Sequence, residues 1–147
     1  MNERHVVRNR LGLSFEGTQV MLRAAERKAR EIEKPMCIAV VDEGGHLIGF
    51  SRMDDARTGN IALALTKAVS AAMRRRATSD ELALRPDDPS HAMRMALAAG
   101  PDRVTSMNGG IPIVVEGQVI GGIGVSNGTG EQDIAVAQAG LDALLAG

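Results

Sequence analysis

The residues best suited to binding chemistry crowd one segment near the C-terminus, where glycines and small polar residues surround a predicted β-hairpin. Asn108-Gly109-Gly110 precedes the hairpin, and Gly121-Gly122-Ile123-Gly124-Val125-Ser126 lies in its second strand, Val119–Ser126. Glycine weakens a strand unless something approaches the backbone closely. Two explanations stay open: a ligand or second subunit lies against the hairpin, or an alanine-rich helix of the same chain packs there. In the first, the predicted ligand-binding residues are Asn108, Gly109, Gly110, Gly124 and Ser126.

Two cations near a predicted alanine-rich helix could hold an acidic group of such a ligand. Arg57 precedes this helix, and Lys67 stands in its middle among alanines. A guanidinium or ammonium group in that position is suited to bind a carboxylate or a propionate. The alternative for Lys67 is that its aliphatic stem lies along the protein and its ammonium group reaches solvent.

Catalysis without a cofactor would require a general acid or base, for which the candidates are Asp54 and His91. Asp54 lies in a predicted loop, and His91 opens a short predicted helix. The alternatives are a solvated loop charge for Asp54 and a surface or capping role for His91. His46 follows a tight turn and is expected to face water, and the single cysteine, Cys37, is expected to be an inert core residue. No residues have the spacing of a metal site.

The elements that must position these residues follow from hydrophobic periodicity. Ser14 is a suitable N-cap for a first helix, and Pro35 ends it. The predicted order is a helix, a hairpin, three helices, three strands and a last helix. Hairpins in both halves predict an α+β fold, a five-stranded antiparallel sheet with helices packed on it. Arg103–Met107 is the weakest of the five strands. Residues 1–12 are expected to form an N-terminal arm, and 13–147 a single domain.

Composition excludes several classes of function. The 17 basic and 18 acidic residues give a net charge of −1, and the chain has neither Trp nor Tyr. Without a basic surplus or aromatic stacking platforms, nucleic acid is not an expected partner. No apolar run approaches the roughly 18 residues of a membrane span, and the N-terminus is polar. We therefore expect a cytoplasmic protein that binds neither nucleic acid nor membrane.

Several segments resemble the GlcG/HbpS-like family, the haem-degrading domain, which is also similar to the C-terminal domain of PduO-type proteins. The similar segments are Ala39–Leu47, Arg52–Ala56, Lys67-Ala68, Gly109–Ile113, Val119–Ser126, Asp133 and Ala139–Leu141. Together the likeness spans roughly Leu13 to Leu145. The resemblance implies a profilin-like sheet with helices on both faces, and homo-oligomers.

The resemblance also implies a range of functions. It predicts a small-molecule-binding protein whose ligand is haem, a related tetrapyrrole or a small organic acid, in a role accessory to catabolism or redox sensing. Haem is implied by the resemblance alone. Two other functions stay open: a cofactor-free lyase or isomerase acting on a small organic or aromatic acid, and a structural oligomeric accessory protein.

Overall fold

The computed structural model describes residues 3–147, and within this range one antiparallel sheet of four strands is packed between helices. The strands are β1 (Cys37–Asp42), β2 (Leu47–Arg52), β3 (Gly110–Val115) and β4 (Gln118–Ser126), in the order β2-β1-β4-β3. The helices are α1 (Phe15–Glu31), α2 (Asn60–Arg74), α3 (His91–Ala99) and α4 (Gly130–Ala146). Short 3₁₀ turns lie at Glu3–His5, Thr78–Asp80 and Leu82–Leu84.

The two faces of the sheet carry separate cores because side chains alternate along each strand. Ile38 and Val40 of β1 belong to the larger core, which also contains residues of α1 and α4. Cys37, Ala39 and Val41 face the other way, toward a smaller core built with the alanines of α2. The two central strands, β1 and β4, are therefore buried on both faces.

Local signals in the sequence set the ends of two helices. The Ser14 side chain accepts a hydrogen bond from the Gly17 N–H at 3.0 Å and begins α1. Thr129 and Gln132 cap each other's backbone at the start of α4, in a capping box. The chain leaves α1 through Glu33, which has a left-handed φ of 53°, just before Pro35.

The predicted fifth strand was wrong: the sheet has four strands, and Arg103–Met107 is not one of them. The side chain of Ser70 on α2 hydrogen-bonds the backbone of this segment instead. Its hydroxyl accepts from the Thr105 N–H at 3.1 Å and donates to the Thr105 carbonyl at 3.4 Å. The segment is therefore bonded to a helix and does not extend the sheet beyond β3, whose Pro112 has no N–H to donate.

The segment before α1 is tied to the sheet by one side chain. The Leu11 N–H donates to Oε1 of Gln118 at 3.1 Å, and Nε2 of Gln118 donates to the Asn9 carbonyl at 3.2 Å. Of the predicted arm, Met1 and Asn2 lie outside the described residues. Within the described range, no helix has both the length and the apolar character needed to cross a membrane.

Candidate functional site

Lys67 is the buried centre of a polar cluster between α2, the end of β4 and the start of α4. It is only 2% exposed, and Asp133 is 3% exposed. Its Nζ donates to Asp133 Oδ2 at 2.8 Å, to the Val125 carbonyl at 2.8 Å and to Ser126 Oγ at 3.3 Å. An ammonium group has three N–H donors, so all three are engaged. An outside carboxylate could bind Lys67 only by displacing one of these partners.

The polar cluster continues outward from Ser126 to the beginning of α2. Ser126 Oγ donates to Asn60 Oδ1 at 2.8 Å, and Asn60 Nδ2 donates to Asn127 Oδ1 at 2.9 Å. The backbone N–H of Arg57 points to the same Asn127 oxygen at 3.4 Å, while its side chain is exposed. No buried side-chain nitrogen or oxygen within residues 3–147 lacks a hydrogen-bond partner. The cluster is therefore complete without a ligand.

The backbone of α2 fills the space beside the strand glycines. A Cβ atom at Gly124 would clash with the Ala64 carbonyl oxygen, and one at Gly110 with the Lys67 carbonyl oxygen, at separations below 3.0 Å. Gly122 meets the carbonyl of another α2 residue in the same way. Close packing of the chain's own alanine-rich helix, the second of the two explanations, therefore accounts for these three glycines.

Asn108 and Gly109 border the same polar cluster. Gly109 has a left-handed φ of 116°, and its carbonyl accepts from the Val125 N–H at 3.0 Å. The Asn108 side chain lies against Gly130, where a Cβ atom would be 2.6 Å from Asn108 Nδ2. The structure thus brings together the predicted residues Lys67, Gly109, Gly110, Gly124 and Ser126 as a packed interior, with the exposed Asn108 at its border. Their role toward a ligand stays a prediction.

The other predicted residues lie on separate surfaces. Asp54 is exposed in the loop after β2 and borders an open groove of about 530 Å³ together with Glu26 and Arg52. His91 is half-buried at the first position of α3. In the described part of the chain, no hydrogen bond or ion pair joins Asp54 to His91, and no group of three His, Cys, Asp or Glu side chains could hold a metal ion.

Cys37 is buried on the α2 side of β1. Burial raises the pKa of its thiol, and the charge of Arg52 offsets only part of that effect. The thiol is therefore protonated at neutral pH and is neither a nucleophile nor an available ligand for iron.

A further residue, His46, stands on the β1–β2 turn with its side chain 82% exposed. Its ring Nδ1 lies 3.1 and 3.2 Å from the two carboxylate oxygens of Asp42. The backbone N–H groups of Gly44 and His46 also donate to Asp42, each at 2.9 Å. Within residues 3–147, the second ring nitrogen, Nε2, has no hydrogen-bond partner.

The charge of Asp42 determines which nitrogen of the neutral imidazole ring carries the proton. Burial acts to raise the pKa of Asp42, but its hydrogen bonds from His46 and Gly44, together with the charge of His46, outweigh that effect and hold its pKa below the ordinary value. Asp42 is then ionised at neutral pH and can only accept, so the ring proton of neutral His46 is assigned to Nδ1. The lone pair of Nε2 points away from Asp42, the arrangement that orients a metal-binding histidine.

An apolar wall on α2 faces the His46 turn. Ala62, Leu65 and Val69 line a cavity of about 240 Å³ together with His46, Asp102 and Arg103. The signal for the histidine pair was present in the sequence, since Asp42 and His46 flank a Gly-Gly turn. The wall could not be foreseen in the same way because it comes from a helix that is distant in the chain.

A family model described as "Haem degrading protein HbpS-like" matches residues 13–142. The chain belongs to the HbpS-like family. GlcG of Escherichia coli strain K12 is 36% identical to this HbpS-like chain over 114 residues, which cover 78% of the chain and 81% of GlcG. The resemblance inferred from the sequence motifs is thereby confirmed.

Solved structures share the fold of this HbpS-like chain. ORFY of Klebsiella pneumoniae superposes with a TM-score of 0.85 at 32% identity, covering 99% of this chain and 97% of ORFY. PduOC, solved as a complex with haem, superposes with a TM-score of 0.81 at 30% identity, covering 90% of this chain and 95% of PduOC. The α+β architecture is confirmed, with the number of strands corrected to four.

The Asp42–His46 pair gives this HbpS-like chain an expected acid sensitivity. Because the folded-state pKa of Asp42 lies below its unfolded value near 3.8, the pair stabilises the fold above that value, and the stabilisation is lost as the pH falls through the folded pKa. Urea unfolding at pH 7, 5, 4 and 3 should therefore show a smaller acid loss for Asp42→Asn than for the wild type. Glu43→Gln, on the same turn, is the control; equal acid profiles for Asp42→Asn and the wild type would contradict the assignment.

Proposed function

We propose that this protein binds haem or a related metalloporphyrin, with His46 as the axial ligand. The observation that carries the proposal is the His46 ring, held by Asp42 so that Nε2 carries a free lone pair beside an apolar wall. A relative of the same fold, PduOC, was solved with haem. Haem iron bound by one histidine of this kind is a common arrangement in proteins.

The residues around His46 fit the chemistry of the group. Ala62 and Leu65 offer an apolar surface to a flat macrocycle above the buried Val69. The Arg103 guanidinium in the same lining is suited to a propionate, and the neighbouring Asp102 offsets part of its charge. Met73 is close by, since its Sδ accepts from Arg103 Nη1 at 3.7 Å. Cys37 is excluded as a competing ligand by its burial. Bound haem would supply redox chemistry or bind small gases, while the protein's residues hold and orient it.

The cavity beside His46 is too small to enclose a whole macrocycle, which favours a binding site shared between subunits. About 240 Å³ is less than the roughly 300–1,000 Å³ of typical ligand pockets, so this surface would cover only part of a macrocycle. A second copy of the chain, as in the homo-oligomer that the resemblance implies, would cover the rest. The proposed role is therefore that of an oligomeric haem-binding accessory protein, in catabolism or in redox sensing.

The test is a titration of the purified protein with ferric haem, followed by absorbance in the Soret region. We expect a saturable, shifted Soret band for the wild type and at least about tenfold weaker binding for His46→Ala, since one coordinate bond is lost. His91→Ala is the matched control and should bind as the wild type does. Both substitutions leave the buried core untouched, and circular dichroism verifies the fold.

Three results would contradict the proposal. They are the absence of saturable haem binding, equal affinity of His46→Ala and the wild type, and a loss of affinity in His91→Ala alone. Thermal stabilisation by small organic acids, but not by haem, would favour the cofactor-free enzyme instead. Stabilisation by neither would favour the structural accessory protein.

A further inference from the structure

A second cavity, of about 500 Å³, lies where the segment before α1 crosses the ends of both hairpins. Arg8 and Arg10 of that segment line it, together with Arg75 after the end of α2. Glu43, on the β1–β2 turn, is the one acidic residue of the lining. Three positive charges against one negative charge make this cavity cationic. It shares no lining residue with the surface beside His46.

The side chains of the three arginines are unpaired within the part of the chain that the structure describes. Among residues 3–147, no hydrogen bond or ion pair involves the side chain of Arg8, Arg10 or Arg75. The preceding residue, Arg74, is paired: it makes a bidentate ion pair with the buried Glu81, at 2.9 and 3.2 Å. Glu81 thus neutralises Arg74 and does not pair with Arg75.

Backbone conformation separates Arg75 from its neighbours. Arg75 caps α2 in the left-handed region, with φ 58°, which turns the chain at this point. The Arg8–Arg10 segment is held in turn by Gln118, whose side-chain amide bonds the backbone on either side of Arg10, at Asn9 and at Leu11. The fold therefore keeps all three arginines around one cavity although they come from distant parts of the chain.

We propose that this cavity binds a small molecule that carries at least two anionic oxyacid groups, carboxylates or phosphates. A guanidinium group bonds either group through two parallel N–H donors. A single anionic group would gain little here, because Glu43 and the carbonyl groups at the C-terminal end of α2 oppose it. A ligand with several anionic groups meets several guanidinium groups at once, and the cavity volume suits a molecule of that size.

Calorimetric titration with citrate, and separately with inorganic pyrophosphate, tests the proposal at constant ionic strength. The expected result is saturable binding of at least one probe by the wild type, at least tenfold weaker in Arg8→Ala/Arg10→Ala and in Arg75→Ala. Arg27→Ala, an exposed arginine on α1, is the control and should bind as the wild type does. Stronger binding of citrate identifies carboxylates as the ligand groups, and stronger binding of pyrophosphate identifies phosphates.

Trypsin gives a second measurement, because it cleaves after Arg8 and Arg10. A bound ligand should slow cleavage at these two positions and leave cleavage at other exposed arginines unchanged. The absence of saturable heat for both probes would overturn the proposal. Equal affinity in the wild type and both cavity variants, or the same effect from sodium chloride alone, would also overturn it.

Discussion

Replacing Lys67 by methionine is expected to lower the free energy of unfolding by about 3–5 kcal/mol, the usual cost of leaving one member of a buried ion pair without its partner. Asp133, which is 3% exposed, would lose its buried cation, and Ser126 and the Val125 carbonyl would each lose a donor. Urea unfolding followed by circular dichroism measures the change, since the chain has no Trp or Tyr for fluorescence.

Two further variants separate the ion pair from general effects of the substitution. Lys28→Met removes a half-buried lysine whose Nζ lies 3.7 Å from Glu31, and it should change stability by less than about 1 kcal/mol. Adding Asp133→Asn to Lys67→Met removes the unpaired buried carboxyl group and should recover part of the loss. A change below about 1 kcal/mol for Lys67→Met itself would contradict the buried cluster and favour a lysine that reaches solvent.

The second large effect is expected at Gly124. A Cβ atom there would clash with the Ala64 carbonyl oxygen and the Ala68 backbone nitrogen. Both are backbone atoms of a regular helix and cannot move aside individually, so α2 must shift away from the sheet. Overpacking of a core commonly costs about 1–3 kcal/mol, and we expect Gly124→Ala to cost about 3 kcal/mol or more in unfolding free energy.

Gly12→Ala is the matched control for Gly124→Ala. A Cβ atom at Gly12 meets nothing within 4 Å, so this substitution should be neutral or should stabilise the fold by a few tenths of a kcal/mol. If Gly124→Ala were as stable as Gly12→Ala, α2 would not be seated on the hairpin. The ligand explanation for the glycines would then be preferred.

Local sequence signals predicted much of the fold. Ser14 at the start of α1, and the Gly-Gly turn between β1 and β2, act through residues only a few positions apart. The prediction of a fifth strand was wrong because the group that binds this segment is distant in the chain. The hydroxyl that hydrogen-bonds the Thr105 backbone belongs to Ser70, 35 positions earlier. A side chain that hydrogen-bonds a segment in place of a neighbouring strand does not change the hydrophobic periodicity of that segment, so the sequence pattern does not reveal it.

The candidate site could be predicted only in part, because several of its contacts also join residues that are distant in the chain. Glycine spacing indicated that something approaches β4 closely, but the sequence does not say whether a ligand or α2 does so. Lys67 stood out among alanines, yet its partner Asp133 lies 66 positions away. The Asp42–His46 pair, by contrast, is local. Its geometry was accessible from a Gly-Gly turn flanked by these two residues, whereas the wall formed by α2 was not.

Nuclear magnetic resonance of the ¹⁵N-labelled protein with ferric haem tests the central claim most directly, because paramagnetic iron broadens amide signals close to it. We predict that substoichiometric haem first broadens the signals of Gly45 and His46 and those of Leu65 and Val69 on α2. In His46→Ala, whose haem binding is expected to be at least about tenfold weaker, the same haem should broaden these signals much less. Broadening centred on the groove beside Asp54, or no localised broadening at all, would contradict haem binding at His46.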